Sequence, residues 1–318
     1  MKDVVALGEL LVDFTPGGET DRGIALFARN PGGAPANVLA MNARLGGGTA
    51  FIGKVGRDAF GDFLRQTLDE WGIDHSGLVA DAHIPTTLAF VQLDERGDRS
   101  FTFYRKPGAD MMLTVGEVNR ALVDDCRVFH FGSVSLTDEP CRSAALETAA
   151  WAELRGKVIS FDPNYRPFLW DSEEAAREQM LKGVGLADVL KVSEEEMTLL
   201  TGETGWENGS QKLLDMGPGL VLVTMGEKGA AFRNRVCCGH LPAYDVPVVD
   251  TTGAGDAFVG AVLHRLKGLS GEEIAVLDRE TLADVVDFAN AAGSLTTTRG
   301  GAIPAMPTME EIEALRNK

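Results

Sequence analysis

An aspartate directly behind a glycine-rich turn, at the start of an apolar helical run, has the makings of a phosphoryl-transfer site. Residues 250–258 read Asp-Thr-Thr-Gly-Ala-Gly-Asp-Ala-Phe, and 257–267 (AFVGAVLHRLK) carry the pattern of a helix suited to burial. Gly253, Ala254 and Gly255 let the backbone turn tightly and present free amides at the start of that helix. Those N–H groups and the positive end of the helix dipole attract an anion such as a transferring phosphoryl group. Asp256, beside that cradle, can take the proton from an attacking hydroxyl while the amides meet the developing charge. An aspartate here can equally be a plain helix cap, so the motif needs company elsewhere in the chain.

Other residues offer it. Gly32-Gly33-Ala34-Pro35-Ala36-Asn37 opens a helix: the glycines permit close approach to a ligand, and Asn37 can both donate to and accept from a polyol. Asp13, just after the first strand, can accept from two hydroxyls, or be only a solvated loop acid. In residues 161–166 (FDPNYR), Arg166 can fork onto phosphate oxygens, and Asp162 or Asn164 can position hydroxyls or metal-bound water. Residues 191–196 (KVSEEE) end a strand and begin an acidic helical turn. Such acids are commonly dipole partners, but Glu196 or Glu194 could reach magnesium through water. Gly226 and Gly229, after another strand, allow a nucleotide to press against the backbone. Gly48-x4-Gly53-Lys54 has the Walker A spacing, but Val55 stands where a magnesium-binding hydroxyl belongs, which excludes a P-loop. No glycine fingerprint for a dinucleotide follows the first strand, and the five histidines show no zinc-ligand spacing.

The elements that must position these residues are short apolar runs alternating with helical patterns. Residues 4–7, 50–55, 128–131, 158–161, 189–192 and 220–223 read as buried strands, with helices predicted at 35–45, 59–71, 141–154, 173–182, 207–216 and 281–295. The alternation predicts an α/β fold: a mostly parallel central sheet with helices on both faces and ligands beyond the strands' carboxyl ends. Two segments break the rhythm. Residues 86–104 read as a hairpin turning at 94–98, and 11–31 are irregular and β-like, so about 11–31 and 84–112 are expected to form a small β lid on one domain spanning 1–318. A formal net charge of −17 disfavours nucleic acid and anionic membranes. Four cysteines without ligand spacing read as reduced thiols. The amino-terminal segment reads as a strand, not a signal peptide, and no run of about 20 apolar residues is present. A cytoplasmic location is expected.

Taken together, these motifs resemble the ribokinase-like (PfkB) carbohydrate kinase family over nearly the whole chain. GGAPAN, GKVGRDAFG at 53–61, VTMGEKGA at 223–230 and DTTGAGDAF at 250–258 stand in the family's order. FTFYRKPGAD at 101–110, DPNYRPFLW at 162–170 and KVSEEE look like its fructokinase branch. The resemblance implies that Asp256 deprotonates a sugar's primary alcohol while the amides of Gly253, Ala254 and Gly255 hold the γ-phosphate. It matches Asp13, Gly32, Gly33, Asn37 and Arg105 to sugar contacts and Arg166 to a phosphate contact. It matches Asn164, Lys191, Ser193, Thr224, Gly226, Gly229 and Asn290 to the nucleotide side. Glu196 corresponds to a magnesium-water residue, in a Ser193-x-x-Glu196 variant of the family's Asn-x-x-Glu. Asp250, Thr252, Thr296, Arg299 and Gly301 match loops that hold a monovalent cation such as potassium, although Ala305 stands where a hydroxyl ligand can occur. The implied reaction is ATP- and magnesium-dependent phosphorylation of D-fructose at its 6-hydroxyl. A 2-keto-3-deoxygluconate kinase is the nearest rival and an inactive interaction protein the non-enzymatic one; a homodimer stays open.

Overall fold

The computed structural model describes residues 1–93 and 99–318, so the turn expected at 94–98 lies outside the described residues. The strands are β1 (Lys2–Leu7), β2 (Leu11–Glu19), β3 (Ala25–Gly32), β4 (Thr49–Gly56), β5 (Asp74–Asp81), β6 (Leu88–Leu93) and β7 (Arg99–Tyr104). They continue with β8 (Cys126–Gly132), β9 (Val158–Asp162), β10 (Val189–Ser193), β11 (Leu220–Thr224), β12 (Ala230–Asn234) and β13 (Cys238–Leu241). The large sheet has the order β13-β12-β11-β10-β9-β8-β1-β4-β5. From β11 to β5 all neighbours run parallel, and β12 and β13 add an antiparallel edge.

Burial on both faces explains why the strands read as continuous apolar runs. Along β1, Val4 and Ala6 enter one core while Val5 and Leu7 enter the other. The first core is covered by helices Ala34–Arg44, Ala254–Leu266 and Arg279–Thr296, the second by Cys141–Leu154 and Glu173–Leu186. All six predicted buried strands and all the predicted helices form, with ends moved by a few residues. The helix predicted at 173–182 runs on to Leu186. Lys54 lies buried in β4, with Asp81 at 3.1 Å and Glu117 at 2.8 Å, and so serves as an internal counter-ion.

The two irregular segments combine into a second sheet of order β3-β2-β6-β7. β2 pairs antiparallel with β3 and parallel with β6, and β6 pairs antiparallel with β7. Phe14 stacks on Phe90 at 4.8 Å and meets Phe60 of helix Ala59–Glu70 edge-on, which docks the base of this small sheet on the body. Among the described residues no helix is long and apolar enough to cross a membrane.

Candidate active site

A cavity of about 350 Å³ lies where the carboxyl ends of the parallel strands, the small sheet and the start of helix Ala254–Leu266 meet. Each wall follows from the topology. The chain leaving β1 supplies Glu9, β2 supplies Leu11 and Asp13, the turn after β8 supplies Val134, and the segment after β9 supplies Asn164 and Arg166. Lys191 reaches in from β10, Phe103 from β7, and Thr251 to Gly253 with Gly255 and Asp256 close the far side.

Asp256 is buried in the first turn of its helix, and both of its carboxylate oxygens are held. Asn37 Nδ2 donates to Oδ2 at 2.8 Å and Asn164 Nδ2 donates to Oδ1 at 3.1 Å. Asn164 reaches this position from a left-handed conformation (φ 49°), which asparagine tolerates better than most residues. Burial pushes the Asp256 carboxyl above its ordinary value, while Asn37, Lys191 and Arg166 pull it back down. The result is a desolvated base with a fixed orientation. Gly253 precedes it at φ 80°, and a side chain there would sit 2.7 Å from Ala302 Cβ, so only glycine fits without strain. No side chain caps the amino end of this helix, where Gly253 and Gly255 line the cavity while the Ala254 N–H donates to the Thr251 carbonyl at 3.3 Å.

Cationic groups flank that cradle. Lys191 Nζ lies 3.0 and 3.2 Å from the two oxygens of Asp162, and a Cβ on Gly255 would come within 3.3 Å of it. Burial alone would lower the Lys191 ammonium, but Asp162 and Glu196 outweigh it and keep the group charged. Arg166 is braced by the carbonyls of Asn164 and Tyr165 at 3.3 and 3.1 Å. Opposite stands Asp13, pushed up to about 7 by burial, with Arg166 pulling it down and Asp256 pushing it up. A side chain on Gly32 would collide with the Asp13 carboxylate, and one on Gly33, at φ 116°, with the Glu9 carbonyl. The two glycines thus let the acid and the helix start approach each other. Asn37 Oδ1 is buried without a protein partner among the described residues, an acceptor left for a ligand hydroxyl.

Other predicted residues lie elsewhere. Arg105 stands behind the cavity wall: Nε donates to Asp110 at 2.7 Å, Nη1 to Thr137 Oγ1 at 2.9 Å and Nη2 to the Val134 carbonyl at 3.0 Å. Glu196 is a buried cap, accepting from Ser193 N and Tyr165 N at 2.7 Å each, while Ser193 Oγ accepts from Glu196 N. Thr224 ends β11, and Gly226 and Gly229 take positive φ in the turn that follows. Asn290 donates to the carbonyls of Leu241 and Pro242, tying the loop after β13 to helix Arg279–Thr296. The two expected cation loops do meet. Asp250 accepts from Thr252 N and Gly301 N, and Val249 N and Asp250 N donate to the Thr297 carbonyl. The side chain of Thr296 turns back to the Ala292 carbonyl, and Arg299 pairs with Glu311. Glu9 was not anticipated. Its position two residues beyond the first strand, at the sheet's carboxyl edge, was the available signal.

Comparison with known proteins agrees with this geometry. Residues 1–309 match the model of the pfkB family carbohydrate kinases. The chain is 46% identical to fructokinase-1 of Oryza sativa subsp. japonica, over 98% of this chain and 96% of the relative. The structure superposes on that of fructokinase with bound ATP from Xylella fastidiosa with a TM-score of 0.92 at 36% identity, covering 100% of this chain and 99% of the other. A fructokinase double mutant from Vibrio cholerae O395, bound to fructose, ADP and potassium ion, aligns with a TM-score of 0.87 at 37% identity over 98% and 97% of the two chains. A family model that spans nearly the whole sequence, and a fold shared end to end with solved sugar kinases, make this chain a member of the pfkB family of carbohydrate kinases.

Proposed function

We propose that this kinase transfers the γ-phosphoryl group of ATP to the 6-hydroxyl of D-fructose, giving fructose 6-phosphate and ADP. The observation that carries the reading is the Asp256 carboxylate, fixed by Asn37 and Asn164 at the uncapped amino end of a helix and facing a cavity lined with sugar-sized polar groups. Asp256 accepts the proton of the 6-hydroxyl as that oxygen bonds to the γ-phosphorus. The bond from phosphorus to the β–γ bridging oxygen breaks, and ADP departs with its electron pair. The amides of Gly253, Ala254 and Gly255, with Lys191 and Arg166, meet the charge on the transferring group. Asp13 is poised near neutrality and can donate to or accept from fructose hydroxyls.

The described residues contain no cluster of three or more metal-ligating side chains. That composition fits magnesium, which is commonly held by phosphates and waters with one or two carboxylates, better than a metal needing a protein cage. Glu196 would reach it through water, because each of its oxygens keeps a second lone pair beyond its backbone contact. When bound, magnesium would supply positive charge that offsets that of the phosphates. The joined loops at Asp250 and Gly301 are the proposed potassium site. The free cysteines support a reducing, cytoplasmic setting. Exposed Leu26 and Phe27 on β3, at the edge of the small sheet, with Ile24 just before the strand, support a homodimer, which light scattering tests.

Three acidic side chains in the cavity, Glu9, Asp13 and Asp256, with Arg105 committed to protein partners, favour a neutral ketose over an acid sugar. An ADP-release assay with fructose, ribose, adenosine and 2-keto-3-deoxygluconate tests the assignment. The expected result is the highest kcat/KM for fructose; a higher value for the acid sugar overturns it.

A further inference from the structure

The small sheet leaves the body of the molecule twice, and each departure is closed by one buried carboxylate. The chain departs at Glu9, forms β2 and β3, and returns at Ala34, whose N–H donates to Glu9 Oε1 at 3.0 Å. It departs again at Thr87, forms β6 and β7, and returns at Arg105. Asp110 spans that second gap: Oδ1 accepts from the Thr87 hydroxyl and Oδ2 from Arg105 Nε. Arg105 then carries the clamp into the body through Thr137 and the carbonyl of Val134, which lines the sugar cavity beside Glu9.

Glu9, Thr87, Arg105 and Asp110 are each no more than 5% exposed. The two clamps also sense each other, since Asp110 raises and Arg105 lowers the Glu9 carboxyl. Buried ionic groups are weak sources of stability, because apolar side chains of similar volume often do as well, but removing one partner alone is costly. Hydrogen bonds with fixed directions do constrain geometry, and all of these converge on the four points where the small sheet meets the body.

We propose that Glu9 and Asp110 are positioning residues, two carboxylate clamps that set the small sheet over the sugar cavity and so keep water from the transferring phosphoryl group. The proposal rests on the kinase reading, in which water is the competing acceptor for ATP. Neither clamp contacts Asp256, so their effect is on sugar retention and water exclusion, not on the proton transfer itself.

Thr87→Val, Asp110→Asn and Glu9→Ala in the full chain test it. Thr87→Val removes one hydroxyl and leaves the ion pair, so it decides the matter if the other two fail to fold. The measurements are ADP released per sugar phosphate formed, KM for fructose and for ATP, and amide hydrogen exchange without ligands. The expected result is a fructose KM raised about fivefold, the scale of one lost hydrogen bond. The ATP KM should stay unchanged, ADP release should exceed sugar phosphate, and exchange across Leu88–Leu93 should quicken by a similar factor. Thr87→Val with unchanged exchange and one ADP per sugar phosphate overturns the proposal. If the unaltered chain phosphorylates no sugar, the kinase reading fails, and exchange in Thr87→Val still decides whether the clamp holds the sheet.

Discussion

Replacing Glu9 with glutamine separates what the charge of this buried acid does from what its shape does. Burial pushes the Glu9 carboxyl from 4.5 up to about 7, opposed by the N–H groups that it accepts from. In the unfolded chain the group titrates near its ordinary value. Below that value both states hold the proton and stability does not depend on this group. As pH rises through the window between 4.5 and about 7, the unfolded chain releases its proton and the folded protein keeps it, so stability falls. Above the folded value the loss is complete. At about 1.4 kcal/mol per pH unit, the gap amounts to about 3 kcal/mol. Glutamine retains an acceptor for the Ala34 N–H and places an amide where Oε2 has no partner, a cost that does not vary with pH. Urea unfolding of both proteins at intervals from about pH 5 to pH 8 therefore gives curves that converge or cross. The unaltered protein should lose about 2–3 kcal/mol more than Glu9→Gln over that range. Asp13 titrates alike in both proteins and cancels in the difference. Parallel curves would refute the argument and mean that Glu9 is already ionised in the folded state.

Asp256→Asn keeps the volume and removes the base, so turnover should fall by about 10²–10⁴ while ATP affinity, measured by calorimetry, stays within about twofold; near-full turnover would leave Asp256 a helix cap. Glu196→Gln puts an amide against two backbone N–H donors and should lower the melting temperature. It should also raise the magnesium requirement more than the fructose requirement, and an unchanged magnesium titration would reduce Glu196 to its capping role. Gly253→Ala meets both a left-handed φ and the Ala302 methyl, so a cost of about 1–2 kcal/mol in stability and a larger fall in kcat than in fructose affinity are expected. Unfolding and steady-state kinetics check both.

Much of this arrangement was legible in the residues because its signals are local. Apolar runs such as 189–192 and 220–223 are long enough to be buried strands, and Asp256 stands next to the turn that gives it meaning. Arg105 shows where local reading stops. A tyrosine–arginine stretch on a hairpin says that the arginine is near the sugar. Whether it points into the cavity depends on Asp110 and Thr137, which meet it only through tertiary packing. Glu196 could be read as a cap or a metal residue, and the Tyr165 amide that occupies its second oxygen comes from 31 residues away. Glu9 carries no spacing signal, since its partners Ala34, Arg105 and Asp110 belong to two other segments distant in sequence.

The two amides that orient Asp256 come from residues separated from it by 219 and 92 positions. Asn37 emerges early from the ribosome and must wait, through the synthesis of most of the parallel sheet, for the helix that carries its partner. No chain that stops short of that helix can therefore assemble an oriented base beside a phosphate cradle. Catalytic competence thus reports that three distant segments of the chain, at residues 37, 164 and 256, have come together.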